Sequence, residues 1–145
     1  SDLIAAGEES GGYAFRGNVP ERDGILSGLL MLDMIVKTQM EPSDLLDELV
    51  EKVGPHFYDR WDVSFDPSQR DAIEQSVRAS FPSTLAGKTV VQVDERDGIR
   101  FVLESGHWSL IRFSGTEPLL RIYAEGESPA EVAALLGEAR AMTGL

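Results

Sequence analysis

The sequence predicts an α+β fold over residues 57–145: a mainly antiparallel sheet backed by two helices. Three observations carry that expectation. Residues 57–65 alternate apolar and polar side chains with the period of a strand. Short strand-like runs then follow one another between residues 88 and 125, separated by turn dipeptides. Two further segments open with Asp66-Pro67 and Ser128-Pro129, a capping residue followed by a first-turn proline. Residues 1–54 read as a loop and two helices with no sheet of their own, so the boundary falls near 54–57.

In chain order, "LIAA" at residues 3–6 is short enough to be only the end of a buried strand, running into a Gly-rich loop at 7–12. Asp23-Gly24 opens a helix whose stripe is Ile25, Leu29, Leu32 and Val36, continued by Met40. Pro42-Ser43 starts a second helix with a stripe of Leu45, Leu46, Leu49, Val50 and Val53, ended by Gly54-Pro55. The short link between them predicts that these helices lie against each other. The strand at 57–65 places Phe57, Trp61, Val63 and Phe65 on one mostly apolar face. The next helix, capped at Asp66 with Gln69 at its third position, turns Ile73, Val77 and Phe81 inward and stops at Pro82. "KTVVQVD" runs to an Asp97-Gly98 turn, "IRFVL" to a Ser105-Gly106 turn, and "HWSLIRF" to Ser114-Gly115-Thr116. "LLRIYAE" is a further strand. "SPAE" at 128–131 forms a capping box for a last helix carrying Val132, Leu136, Ala139 and Met142.

Composition limits the function classes. The formal net charge is −12, from 25 acidic against 13 basic residues. That argues against nucleic acid or an anionic membrane surface as partner, since both need basic stripes. It leaves room for an anionic small molecule, because a pocket is local. Hydrophobic residues make up 42%, enough for a packed core. With no cysteine, disulfides and thiolate metal sites are excluded, consistent with a cytoplasmic location. No apolar run reaches the length of a membrane span.

The residues that carry chemistry cluster in two places. A phosphate dianion wants donors from several directions: backbone N–H groups of a tight loop, hydroxyls and guanidinium forks. Arg112, Ser114, Gly115 and Thr116 supply all of these within five residues, and Arg121 follows on the next strand. Glu117 is expected to point away or to pair with an arginine. In "GEESGG", residues 7–12, a carboxylate at Glu8 and a hydroxyl at Ser10 suit a polyol or sugar. Read without those partners, each stretch is an ordinary solvated turn. His56, His107 and the acidic cluster Asp94, Glu95 and Asp97 lack the spacing of metal ligands, so no metal site is expected. Asp33 interrupts an apolar helix and has no partner legible in the sequence.

"GEESGGYAFRGNVPERDGILSGLLMLDMI" and "RFSGTEPLLRIYAE", about a hundred residues apart, resemble the C-terminal portion of the α-D-phosphohexomutases, which include the phosphoglucomutases and phosphomannomutases. Members have four domains. The resemblance implies that residues 1–54 are the tail of domain three, an α/β domain, and that 57–145 are domain four. It implies that Glu8 and Ser10 bind sugar hydroxyls and that Arg112, Ser114, Gly115 and Thr116 hold the substrate phosphate, with Arg121 assisting. Gly12 and Asn18 stand where many relatives have His, and "GEESGG" leans toward the phosphoglucomutase side. The family reaction also needs a phosphoserine in domain one and a magnesium site of three aspartates in domain two, and neither pattern occurs in these residues. The chain therefore reads as a fragment that holds a phosphorylated hexose but lacks the phosphoryl-transfer half. Its other partners would be the missing domains one to three, with self-association of the exposed helical stripe as a further option. The rival reading is a stand-alone module that binds a phosphorylated ligand or a protein.

Overall fold

The computed structural model describes residues 3–8 and 11–145. The chain forms two compact units, Ser1–Val53 and Gly54–Leu145. The first contains a feature absent from the sequence reading: a two-stranded antiparallel hairpin of β1 (Ala5–Gly7) and β2 (Tyr13–Phe15), with Ala6 opposite Ala14. Three-residue strands leave too few positions for alternation to show, and β1 is exposed throughout rather than buried. Helix α1 (Gly24–Thr38) starts at Asp23, whose carboxylate accepts from the Leu26 N–H at 2.9 Å. That backbone bond, with a second from the Asn18 side chain, holds the Asp23 carboxyl below its ordinary value. Gln39, at φ 56°, ends the helix and donates its N–H to Ile35 O. Asp33 finds its partner one turn on, accepting from Lys37 Nζ at 2.7 Å.

Helix α2 (Pro42–Val53) follows. The expectation that α1 and α2 lie together is not met. They do not pack along their lengths, and among the described residues neither buries a side chain. Ile25 stays 81% exposed, and Leu29, Leu32 and Val36 are exposed with it. The apolar stripe exists, but no surface of its own unit covers it.

The second unit is a six-stranded sheet in which every neighbouring pair is antiparallel. Its strands are β3 (Phe57–Ser64), β4 (Thr84–Leu85), β5 (Lys88–Asp94), β6 (Ile99–Leu103), β7 (Trp108–Phe113) and β8 (Leu119–Gly126), in the order β3-β8-β7-β6-β5-β4. A single 3-10 turn at Pro67–Gln69 leads into α3 (Arg70–Ala79), and α4 (Pro129–Thr143) closes the chain. Phe101, Leu103, Ile111, Leu120 and Ile122 face Ile73 and Val77 of α3 and Val132, Leu135, Leu136 and Ala139 of α4. The fold is α+β, one sheet with both helices on the same side.

Three details differ from the sequence reading. β4 is an additional two-residue strand at the sheet edge, too short for any period to reveal. Phe57 is 40% exposed, because β3 is the opposite edge and only Trp61, Val63 and Phe65 approach the core. At the start of α4, Ser128 Oγ accepts from Glu131 N–H as a cap, but the Glu131 carboxylate turns to the Glu127 N–H at 2.7 Å instead of closing a reciprocal box. The reciprocal box does form one helix earlier, between Asp66 and Gln69. Among the described residues no helix is long and apolar enough to cross a membrane.

Candidate functional site

Strands β7 and β8 set the two arginines. Antiparallel pairing puts Arg112 directly opposite Arg121, and Arg121 opposite Asp62 of β3. Directly paired residues share a face with Cα atoms about 4.5–5.5 Å apart, so two like charges are held side by side. Their neighbours Ile111, Ile122 and Leu120 alternate into the core, which turns the arginines to the helix-free face. Two carboxylates partly offset the repulsion. Arg112 Nε lies 3.3 Å from Asp97 Oδ1, and Arg121 Nε lies 4.0 Å from Asp62 Oδ1. Asp62 is shared, since Arg60 Nε approaches the same oxygen at 3.1 Å. Arg121 Nε is buried without a hydrogen-bond partner, a donor that costs free energy until something accepts from it. Gly98, at φ 93°, closes the β5–β6 turn under Arg112. A Cβ there would sit 2.6 Å from Ile111 O and 3.1 Å from Arg112 Cβ.

The loop Ser114–Pro118 joins these strands. Ser114 N–H donates to Leu119 O at 2.8 Å, which pins the loop base to the start of β8. Ser114 Oγ accepts long bonds from the N–H groups of Thr116 (3.4 Å) and Glu117 (3.3 Å), leaving its own proton to donate outward. Gly115 needs no unusual backbone angle, and beyond its two chain neighbours none of the described residues comes within 4 Å of where its Cβ would be. The absent side chain therefore leaves open space above the backbone, the clearance that a close-approaching anion uses. Glu117 is exposed and makes no ion pair among the described residues, so the expected pairing with an arginine is not seen.

Ser114, Gly115, Thr116, Glu117 and Pro118 line a depression of about 230 Å³ together with Phe65, Pro67 and Arg70. Arg112 borders the adjoining depression of about 210 Å³, and Arg70 lines that one too. The two predicted arginines thus stand beside each other at the loop's root, while the cation that lines the depression with the loop's hydroxyl residues, Arg70, is one the sequence reading did not single out. Arg70 comes to the loop through long-range pairing: Phe65 N–H donates to Pro118 O, and Phe65 packs edge-on against Phe113 at 5.6 Å. No local spacing signals such an approach.

The second stretch is the tip of the β1–β2 hairpin. Glu8 N–H donates to Gly12 O and Gly11 N–H to Glu8 O, both at 3.0 Å, which ties the backbone together where β1 ends. The Glu8 carboxylate accepts from Arg22 Nη1 at 2.9 Å, and the Arg22 stem lies across Gly12, where a Cβ would meet Cδ at 2.3 Å. Only a glycine at position 12 admits Arg22 in this pose. Ser10 lies outside the described residues.

One grouping invites a test as a metal centre, given the magnesium that the sequence resemblance implies. Ligand atoms of His107, Glu127 and Glu131 fall within 4.8 Å of one another. They do not fit magnesium. Lys88 Nζ occupies the middle, 3.1 Å from Glu127 Oε1 and 2.8 Å from Glu131 Oε1, and a hard cation seeking six oxygens would have to displace that ammonium.

Comparison with known proteins gives a consistent answer. Residues 66–142 match the family described as "Phosphoglucomutase/phosphomannomutase, C-terminal domain", and residues 1–53 match its "alpha/beta/alpha domain III". A phosphoglucomutase/phosphomannomutase of Thermococcus kodakarensis is 34% identical over 84% of this chain and 24% of its own length. A phosphoglucomutase of Komagataeibacter xylinus is 30% identical over 92% of this chain and 27% of its own. A phosphoglucosamine mutase of Methanocaldococcus jannaschii is 32% identical over 94% and 28%. The chain thus spans about a quarter of the length of these relatives. Among solved structures, the open form of pp63/parafusin, a phosphoglucomutase from Paramecium, superposes with a TM-score of 0.73 at 20% identity, covering 98% of this chain and 31% of that one. A phosphoglucomutase/phosphomannomutase family protein of Burkholderia thailandensis gives 0.70 at 22%, covering 96% and 27%. These likenesses support the fold, and the sequence matches extend it to kinship: the chain belongs to the phosphoglucomutase/phosphomannomutase family.

Proposed function

We propose that this chain is the substrate-holding C-terminal part of a phosphohexomutase, with residues 57–145 as its phosphate-binding domain and residues 1–54 as the end of the domain that carries the sugar loop. In that reading the whole protein is an intramolecular phosphotransferase. It interconverts hexose 1-phosphate and hexose 6-phosphate through a phosphoserine and a bisphosphate, with phosphoglucomutase as the leading assignment. The observation that carries it is the cross-strand Arg112–Arg121 pair at the root of the Ser114–Thr116 loop, with Arg121 Nε buried and unpartnered. Two adjacent cations in a chain of net charge −12 are an unfavourable arrangement that a bound dianion would relieve.

Each group has a role in this reading. Arg112 and Arg121 grip the phosphate, the Ser114 and Thr116 hydroxyls donate to it, and Gly115 lets it approach the backbone. Glu8, turned by Arg22, and Ser10 accept from sugar hydroxyls. The nucleophile and the magnesium that supplies charge compensation for transfer belong to domains one and two, which also cover the apolar face of α1 together with the remainder of domain three. Titration with inorganic phosphate and glucose 6-phosphate, followed by amide NMR, tests the site. Residues 112–117 should move at millimolar ligand, and Arg112→Ala should weaken binding by about 1.5–3 kcal/mol, with Arg121→Ala costing less. Unmoved shifts, or an Arg112→Ala variant that binds like the parent, would remove the assignment. For the whole protein, turnover of glucose, mannose and glucosamine 1-phosphates ranks the hexoses, and a clear preference for glucosamine would replace the glucose assignment. This chain alone should show no turnover above a buffer control, even with magnesium and a bisphosphorylated activator.

A further inference from the structure

We infer that Arg70, the first residue of α3, is a third cationic arm of the phosphate site, closing over an anion from the side of the loop opposite Arg112 and Arg121; this rests on the proposed phosphate reading of Ser114–Thr116. Arg112 and Arg121 each have one carboxylate nearby, Asp97 at 3.3 Å and Asp62 at 4.0 Å, which offsets part of their charge. Arg70 makes no ion pair among the described residues. The usual helical partner one turn on, Glu74, is engaged by Arg78 Nε at 3.2 Å and Nη2 at 3.0 Å, and Arg78 also holds Glu95. In a chain with so many spare acids, this leaves Arg70 as a net positive charge at the loop's edge.

Its position favours such use. The Arg70 guanidinium rests over the Phe113 ring, 4.7 Å from the centroid, and Phe113 immediately precedes Ser114. The face of a ring holds a guanidinium without taking up any of its five N–H donors, so all remain available to acceptors. Arg70 lines both depressions that border the loop, sharing one with Ser114, Gly115 and Thr116 and the other with Arg112. The backbone beneath it is fixed. The Asp66 capping box sets the first turn, and the Phe65 N–H bond to Pro118 O ties that turn to the loop's exit. A long exposed side chain on a fixed base can swing from the ring to a ligand a few ångströms away at small cost.

The test uses the full 145-residue chain and inorganic phosphate at constant ionic strength, read by ¹⁵N spectra of the loop amides and of arginine Nε–H groups. The parent should show Arg70 Nε–H moving along with residues 114–117. Arg70→Ala should weaken phosphate about fivefold, between the worth of an exposed ion pair and that of a charged hydrogen bond. Arg70→Lys should recover part of the loss, and Lys37→Ala, which removes a cation already engaged by Asp33 on α1, should bind like the parent. Unchanged helix content and melting temperature in Arg70→Ala separate a lost contact from a damaged fold. If the loop amides move while Arg70 Nε–H stays still, or if Arg70→Ala binds like the parent, the third arm is overturned and the loop assignment stands. If no amide of 112–117 moves in the parent, both readings fall together.

Discussion

Glu131 gathers three partners around one carboxylate, and its chemistry sets a measurable pH dependence. Its carboxylate accepts from Glu127 N–H at 2.7 Å and lies 2.8 Å from Lys88 Nζ and 3.4 Å from His107 Nδ1. Burial, the largest single influence, pushes the Glu131 carboxyl up. Lys88, the Glu127 N–H and the His107 charge together outweigh it, so the group titrates below its ordinary 4.5. A depressed carboxyl contributes stability that is complete above 4.5 and is lost as pH falls through the folded value. Lys88 has the opposite sign. The Glu131 bond raises it above 10.5, so its contribution is present below 10.5 and is lost as pH climbs past the raised value. Urea midpoints should therefore hold level through neutrality and fall on both limbs, and Glu131→Gln should flatten both. On the acid side Asp94 adds a lower step, because Arg96 holds it down to about 2 and that residue survives the substitution. A second residue-scale outcome concerns Gly98. Its φ of 93° and the 2.6 Å approach to Ile111 O leave no room for a methyl group. Gly98→Ala should destabilise the chain by more than about 1 kcal/mol and displace Arg112, read as a lower melting midpoint together with weaker phosphate binding.

Elements separate by how locally they are determined. Helix α4 was legible because its start is written in four consecutive residues, and Ser128 does cap it. Ser128→Ala should cost about 1 kcal/mol, measured by urea denaturation. β5 to β8 were legible because each is five to eight residues of alternating or apolar chain set off by turns or loops. β1, β2 and β4 were not, since strands of two or three residues are defined by their pairing partner and not by their own pattern. The stripe on α1 illustrates a different limit. Its period is plain in the sequence, yet periodicity states only that a face is apolar and is silent about what covers it; the expected neighbour, α2, does not pack there. The candidate site divides the same way. Arg112, Ser114, Gly115, Thr116 and Arg121 sit within ten residues and could be read together, whereas Arg70 reaches the loop only through the contact of Phe65 with Phe113 and Pro118.

At the scale of the whole chain, the core is unevenly distributed. Every buried hydrophobic residue among those described, from Phe65 to Ala139, belongs to the second unit, and the helices of the first bury none. Burial of apolar surface is the main favourable term in folding, so the two units differ in their capacity to stand alone. The second also carries its own completed architecture. β8, near the chain's end, inserts between β3 and β7, so the first and last strands of the unit pair along their full lengths, Phe57 with Gly126 through Ser64 with Leu119. That pairing closes the longest loop in the unit and makes the sheet depend on residues from both of its ends, which favours an all-or-none transition. Residues 55–145 expressed alone should therefore unfold in one cooperative urea transition, with a midpoint close to that of the 145-residue chain. Removing the last strand and α4 by ending the chain at residue 118 should abolish the transition altogether. A broad, non-cooperative melt of 55–145 would show that the second unit draws stability from the first, and the uneven core would then need another explanation. Residues 1–54 alone should give no cooperative transition, because a hairpin of three-residue strands and two helices without a buried face cannot offset the entropy of ordering them.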